Sequence, residues 1–212
     1  AAADGRLLAI AARDALGVRS IVATLLDTGS DTPLLAGDLV LNTGLPTTTD
    51  PNVDVDGFGG QWAIAYEALG SFAGSTVVRV RPVTANVTGG TFSVGSGSTF
   101  SSGFGGNSYR PAVAFAAGRV WLAYYFESLV LTTSYQRRVV AVDASSCTSC
   151  GDLFSVPMPG TTLDPILAAN RCIATTTSGG AANKEDALFV WADPSPSSSS
   201  PTLLAQRLRD FG

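Results

Sequence analysis

Four stretches of the chain can be laid over one another: GRLLAIAARD (5–14), GQWAIAYE (60–67), GRVWLAYYFE (118–127) and ALFVWAD (187–193). Each is a short apolar and aromatic run closed by a carboxylate, namely Asp14, Glu67, Glu127 and Asp193. They are too short for helices and lack helical caps, so they predict buried β-strands. Self-similarity at a fixed spacing points to a repeat architecture, and the remaining elements fall into the same frame.

Ahead of three of these strands stands a segment built around proline: DPNVDVDG (50–57), RPAVAFAAG (110–118) and DPILAAN (164–170). Val53 and Val55, Val113 and Phe115, and Ile166 and Ala168 alternate with their neighbours, which predicts a strand with one buried face. Pro51, Pro111 and Pro165 are expected at the strand entrance, where a missing N–H does least harm. After each carboxylate follows a third strand: RSIVATLLD (19–27), STVVRVRPV (75–83), QRRVVAVD (136–143) and PTLLAQRLRD (201–210). A fourth strand opens on glycine in three units: GDLVLNTG (37–44), GTFSVGSG (90–97) and GDLFSVPMPG (151–160).

The expected fold class is therefore all-β, a β-propeller segment of four-stranded antiparallel blades, each unit running to roughly 55–60 residues. A β-sandwich is the alternative, but it has no reason to repeat one four-strand pattern. The whole chain, 1–212, is read as a single segment with approximate units 1–46, 47–107, 108–160 and 161–212. The first and last units lack strands, so the expectation is two complete blades between two incomplete ones, cut from a longer array. Their open sheet edges predict partners, either further blades of the same protein or another protein chain.

Apolar residues make up 45% of the chain and charged residues only 14%, so Ser, Thr, Gly, Asn and Gln must cover much of the surface. That composition suits a secreted or cell-surface β protein. The net charge is −4 and the twelve arginines are scattered beside a single lysine, Lys184, which leaves no basic patch for nucleic acid. No apolar run is long enough to predict insertion into a membrane.

Histidine is absent, which removes any Ser-His-Asp or Cys-His site from within the chain. Neither a phosphate-binding loop nor a nucleophile elbow is present, and no catalytic residue is assigned. A carboxylate that recurs in every unit is more simply a turn or edge feature than one half of a glycosidase pair. Trp62, Trp121 and Trp191, with Tyr66, Tyr124 and Tyr125, lie inside the strands and are expected in the core. The Gly- and Ser-rich stretches 95–109, 175–186 and 194–201 are expected to be loops, the places where a ligand site, unidentified from sequence, would sit.

Asn52, Asp54 and Asp56 stand at alternate positions before Gly57, nearly as a calcium loop is spelled. Position twelve of such a loop, counted from Asn52, should be a bidentate Glu, and it is Ala63. The expectation is that Val53 and Val55 face the core, that Asp54 and Asp56 face solvent, and that no cofactor is bound. Calcium is the weak candidate. Cys147 and Cys150 form a C-x-x-C on a predicted turn, with too few other ligands for zinc, and a disulfide across the hairpin is expected.

DPNVDVDGFGGQWAIAYE and RPAVAFAAGRVWLAYYFE resemble the units of bacterial extracellular β-propeller repeat proteins, in which an Asp-Pro-x-Val-Ala strand and an Asp-Gly turn precede a Gly-x-Trp-x-x-x-Trp/Tyr-Glu strand. The first and last units match more loosely. The resemblance implies a propeller and is nearly silent on activity, since such repeats serve binding, adhesion and catalysis. A similarity to the calcium-binding FG-GAP repeats of integrin-type propellers is what keeps the calcium candidate, although the full acidic cluster is missing. The functional expectation is a non-enzymatic module for binding or structural assembly. The alternative is a glycan hydrolase or lectin, with a glycan as ligand, whose site missing blades complete.

Overall fold

The computed structural model describes residues 2–3, 6–15, 18–27, 29, 39–45, 52–58, 60–71, 74–86, 91–100, 106–116, 119–128, 134–143, 145, 149–157, 172–177, 184–193 and 202–208. These residues form antiparallel strands and no helix, so none of them belongs to a helix able to cross a membrane. The first sheet runs β1 (Ala2–Ala3), β2 (Arg6–Ala15), β3 (Val18–Asp27) and β4 (Leu39–Leu45), each strand paired with the next. The second runs β5 (Val53–Phe58), β6 (Gln61–Leu69), β7 (Thr76–Asn86) and β8 (Thr91–Val94), with β9 (Ser98–Phe100) also on β7. The third is β10 (Asn107–Ala116), β11 (Arg119–Ser128), β12 (Ser134–Asp143) and β13 (Ser149–Pro157). The fourth has three described strands, β14 (Cys172–Thr177), β15 (Lys184–Asp193) and β16 (Thr202–Leu208).

Every sheet is thus an up-and-down meander, and the sheets stack face to face through their leading strands. β5 lies against β1 and β10, and β10 in turn against β14. This is the layout of consecutive propeller blades, each burying on its neighbours the faces it cannot bury alone.

The second sheet makes the stacking visible because both of its faces are covered. Trp62, Ile64 and Tyr66 on β6 pack with Leu8, Ile21, Ala23 and Leu25 of the first sheet. Ala63 and Ala65, the residues between them, pack with Val113, Phe115, Val120, Leu122, Tyr124 and Phe126 of the third. Full burial of such side chains contributes about 1.5–3 kcal/mol each. Trp62 and Trp121 point to opposite faces: Trp62 stands five residues before Glu67 and Trp121 six before Glu127, and Trp121 lies between Val120 and Leu122, both turned toward the second sheet.

Several expectations are corrected. Pro111 is not at a strand entrance but inside β10, at a bulge where the pairing with β11 shifts between Tyr109 and Ala112. The bulge puts Arg110 at φ 54°, and a bulge is where a ladder tolerates a residue without an N–H. Asn107, assigned from sequence to the end of the second unit, opens β10. The stretch 95–109 is not all loop, since Ser98–Phe100 resumes the outer edge of the second sheet after a break. That break inserts one residue at Gly95 to Gly97 opposite Arg81 and Pro82, with the Gly95 N–H donating to the Pro82 carbonyl at 3.0 Å. In the fourth unit the strand beside β15 is Cys172–Thr177, so 175–177 and 184–186 are strand rather than loop. The segment 164–170, the stretch 194–201 and Cys147 lie outside the described residues.

Candidate functional site

The polar residues singled out from sequence converge on the seam between the second and third sheets. β5 is the leading strand of its sheet, and Asn52 stands just before it, opposite the end of β6. The Glu67 N–H donates to the Asn52 carbonyl at 3.1 Å, and the Asn52 side-chain amide donates to Glu67 Oε1 at 2.7 Å. The same device recurs one sheet on, where the Asn107 amide donates to Glu127 Oε2 at 2.5 Å. Each closing glutamate is held by the asparagine that opens its own sheet.

The seam itself is crossed by carboxylates reaching backbone. Asp54 Oδ2 accepts from the Val113 N–H at 2.8 Å, and Asp56 Oδ2 accepts from the Phe115 N–H at 2.7 Å. Glu67 Oε1 accepts a third bond, from the Arg110 N–H at the bulge, at 2.5 Å. In the other direction the Thr76 N–H donates to Asn107 Oδ1 at 2.9 Å. Alternation along β5 sends Asp54 and Asp56 to one face, and alternate amides of β10 point away from β11, so the two rows meet in step. Hydrogen bonds to a carboxylate are the stronger kind, about 1.5–3 kcal/mol each.

This overturns the expectation that Asp54 and Asp56 face solvent. Both are half-buried, and the neighbouring sheet lies where water was expected. For a cation the consequence is direct: Asn52 is committed to Glu67, and Asp54 and Asp56 to backbone amides. Among the described residues no three His, Cys, Asp or Glu side chains are grouped to hold a metal ion. Val53 and Val55 do pack against the core shared with the first sheet.

The aromatic candidates are interior. Trp62 is 0% exposed and Trp121 3%, and both indole N–H groups are buried without a hydrogen-bond partner. Tyr125 stacks on Tyr109 with ring centres 6.2 Å apart, and the buried Arg137 donates through Nε to the Tyr125 hydroxyl at 3.4 Å. Arg138 lies 3.5 Å over the ring of Phe126. Trp191 is on β15 and Cys150 on β13.

Of the four closing carboxylates, Glu67 and Glu127 are the two whose side-chain contacts are described; Asp14 pairs in register with Arg19, and Asp193 with Thr202. Sequence reasoning missed Asn52 and Asn107 as their holders. The available signal was that each opens a leading strand, but the two Asn-to-Glu separations differ, 15 residues against 20.

No family model matches the chain, and no curated protein matches it. Among solved structures it is similar to a GH43 endo-arabinanase from Bacillus licheniformis, at 9% identity, over 97% of this chain and 95% of that one, with a TM-score of 0.24. At that score no residue of one chain can be assigned a counterpart in the other.

Proposed function

We propose that the chain is a non-enzymatic propeller module of a secreted or cell-surface bacterial protein, one that works by binding or by structural assembly. The observation that carries this is the use made of its acidic residues. Asp54, Asp56, Glu67 and Glu127, the carboxylates from which hydrolytic chemistry could have been built, take up asparagine amides and the backbone of the next sheet. A glycosidase pair needs two carboxyl groups flanking a substrate bond, not seated against main chain. Partners meet the module at its sheet edges, either as further blades of the same protein or as a second protein chain, for the leading strands are already engaged with one another.

The test is to purify the chain, incubate it with a panel of plant and bacterial polysaccharides and with casein, and follow new reducing ends and new amines. No turnover is expected, while native mass spectrometry of the natural protein should show the segment within a larger polypeptide or complex. Hydrolysis of any glycan or peptide, abolished by Glu67→Gln or Glu127→Gln without loss of folding, would overturn the reading.

A further inference from the structure

Among the described residues, every shift of register falls on a pair that includes the first or the last strand of its sheet. The middle pairs, β2 with β3, β6 with β7 and β11 with β12, run without a break. On the outer side, β4 shifts against β3 between Arg19 and Ser20 and again between Ile21 and Val22, and β13 shifts against β12 between Val139 and Val140 and between Val140 and Val142. The second sheet carries its interruption between β8 and β9, and there the edge is open to water, since Ser93, Ser96 and Thr99 are exposed.

Gly95, Ser96 and Gly97 stand opposite only Arg81 and Pro82, because Val94 pairs with Val83 and Ser98 with Val80. The Gly95 N–H donates to the Pro82 carbonyl, so the neighbouring Val94 amide points away from β7. Val80 and Val78 present their backbone groups on the same side of β7 as Pro82, which turns the Ser98 and Phe100 amides inward and the Thr99 amide outward. Outward amides thus fall at 94 and 99, an odd separation where a continuous strand has an even one. A strand laid along this edge that matches one half meets the other out of step. The interruption is held from β7 on both sides of the peptide, through the Pro82 carbonyl and through Arg81 Nε, which donates to the Gly95 carbonyl at 2.9 Å.

We infer that this break is a guard against strand addition: the outer edge of the second sheet refuses a β-strand from another chain, and a protein partner that meets this rim does so through side chains. An unpaired edge is a template for a further strand, and a bulge that puts the edge out of step is one of the devices that prevents it. Contact at the sheet edges belongs to the function proposed above, but the guard operates whether or not a partner exists.

Deletion of Ser96 removes the extra residue and leaves Ser98, Thr99 and Phe100 opposite Val80, Arg79 and Val78, so Phe100 keeps its place in the core shared with the third sheet. Amide hydrogen exchange at Val94 and Thr99, resolved to single residues and compared between dilute and concentrated solutions of the full chain, is the test. In the wild type both rates are expected to be independent of concentration. Slowing of both on concentration would overturn the inference, because strands would then be adding to the guarded edge. In the deletion variant both rates are expected to fall by at least about tenfold on concentration, whereas association through any other surface leaves them unmoved. Rates independent of concentration, in a variant whose β6 amides remain as protected as in the wild type, would also overturn it. If the variant fails to fold, the wild-type comparison decides alone. The hydrolysis assay described above reads none of this, so the two readings fail separately.

Discussion

Gly97 and Gly74 both sit in the left-handed region, at φ 68° and 78°, and their replacement by alanine separates two costs that usually arrive together. A side chain at such a φ costs about 1 kcal/mol wherever it occurs. At Gly74 that is the whole cost, because nothing lies within 4 Å of an added Cβ. At Gly97 the Cβ would overlap the Val80 carbonyl oxygen and lie 2.9 Å from Arg81 Cα. Both belong to the backbone of β7, which is paired on its far side through Val80 to Ala65 and Arg81 to Ile64, so it cannot recede without breaking that ladder. Overpacking of this kind adds about 1–3 kcal/mol, which brings Gly97→Ala to about 3 kcal/mol against about 1 kcal/mol for Gly74→Ala. A chain of this size loses roughly 2–4 °C of Tm per kcal/mol, so the two variants should melt about 4–8 °C apart. Urea unfolding followed by the fluorescence of the buried Trp62 and Trp121 gives the same comparison at constant m. Coincident midpoints would show that the outer strand accommodates the methyl group and that the bulge is not pinned by β7.

Glu67→Ala strands the Asn52 side chain and the Arg110 amide, whereas Glu127→Ala strands the Asn107 side chain. The first should cost about 2–4 kcal/mol and the second about half of that, read from urea midpoints; the reverse order would show that the seam contact of Glu67 contributes nothing. At the C-x-x-C, reduction of the purified chain is expected to add two hydrogen masses to the peptide carrying Cys147 and Cys150. An intact mass that reductant leaves unchanged would remove the disulfide, and with it that argument for an oxidising compartment.

Alternation and repetition in the sequence were enough to locate the second and third strands of every unit, because each is a dense apolar run with polar turns on both sides. They failed where the ladder is interrupted. One extra residue at Arg110 and Pro111 leaves the apolar pattern of Val113 and Phe115 intact, so the bulge is invisible to periodicity and Pro111 looks like an entrance. In the fourth unit Ile166 and Ala168 alternate as a strand should, yet the residues paired with β15 are the threonine-rich Cys172–Thr177. The reading of Asp54 and Asp56 failed for a different reason. Alternation reveals that a strand has two faces, but not what lies beyond the polar one, and in a stack of sheets that is another backbone. The same limit hid the divergence of Trp62 and Trp121, whose faces are set by the count back from Glu67 and Glu127 rather than by their likeness to each other.

The seam carboxylates grip main chain, and this bears on how the sequence is free to drift. Any residue at 113 or 115 except proline presents the N–H that Asp54 and Asp56 require, so the two sides of the contact exert almost no choice over each other's side chains. Substitutions at 54 and 56 should therefore be uncorrelated with those at 113 and 115, and a search for compensating pairs would find the packed side chains of this boundary but pass over these bonds. For an engineer the same indifference is useful: an Asp-x-Asp leading strand supplies two bonds between blades that do not depend on the side chains at the positions they reach, which leaves those side chains to be chosen for the shared core.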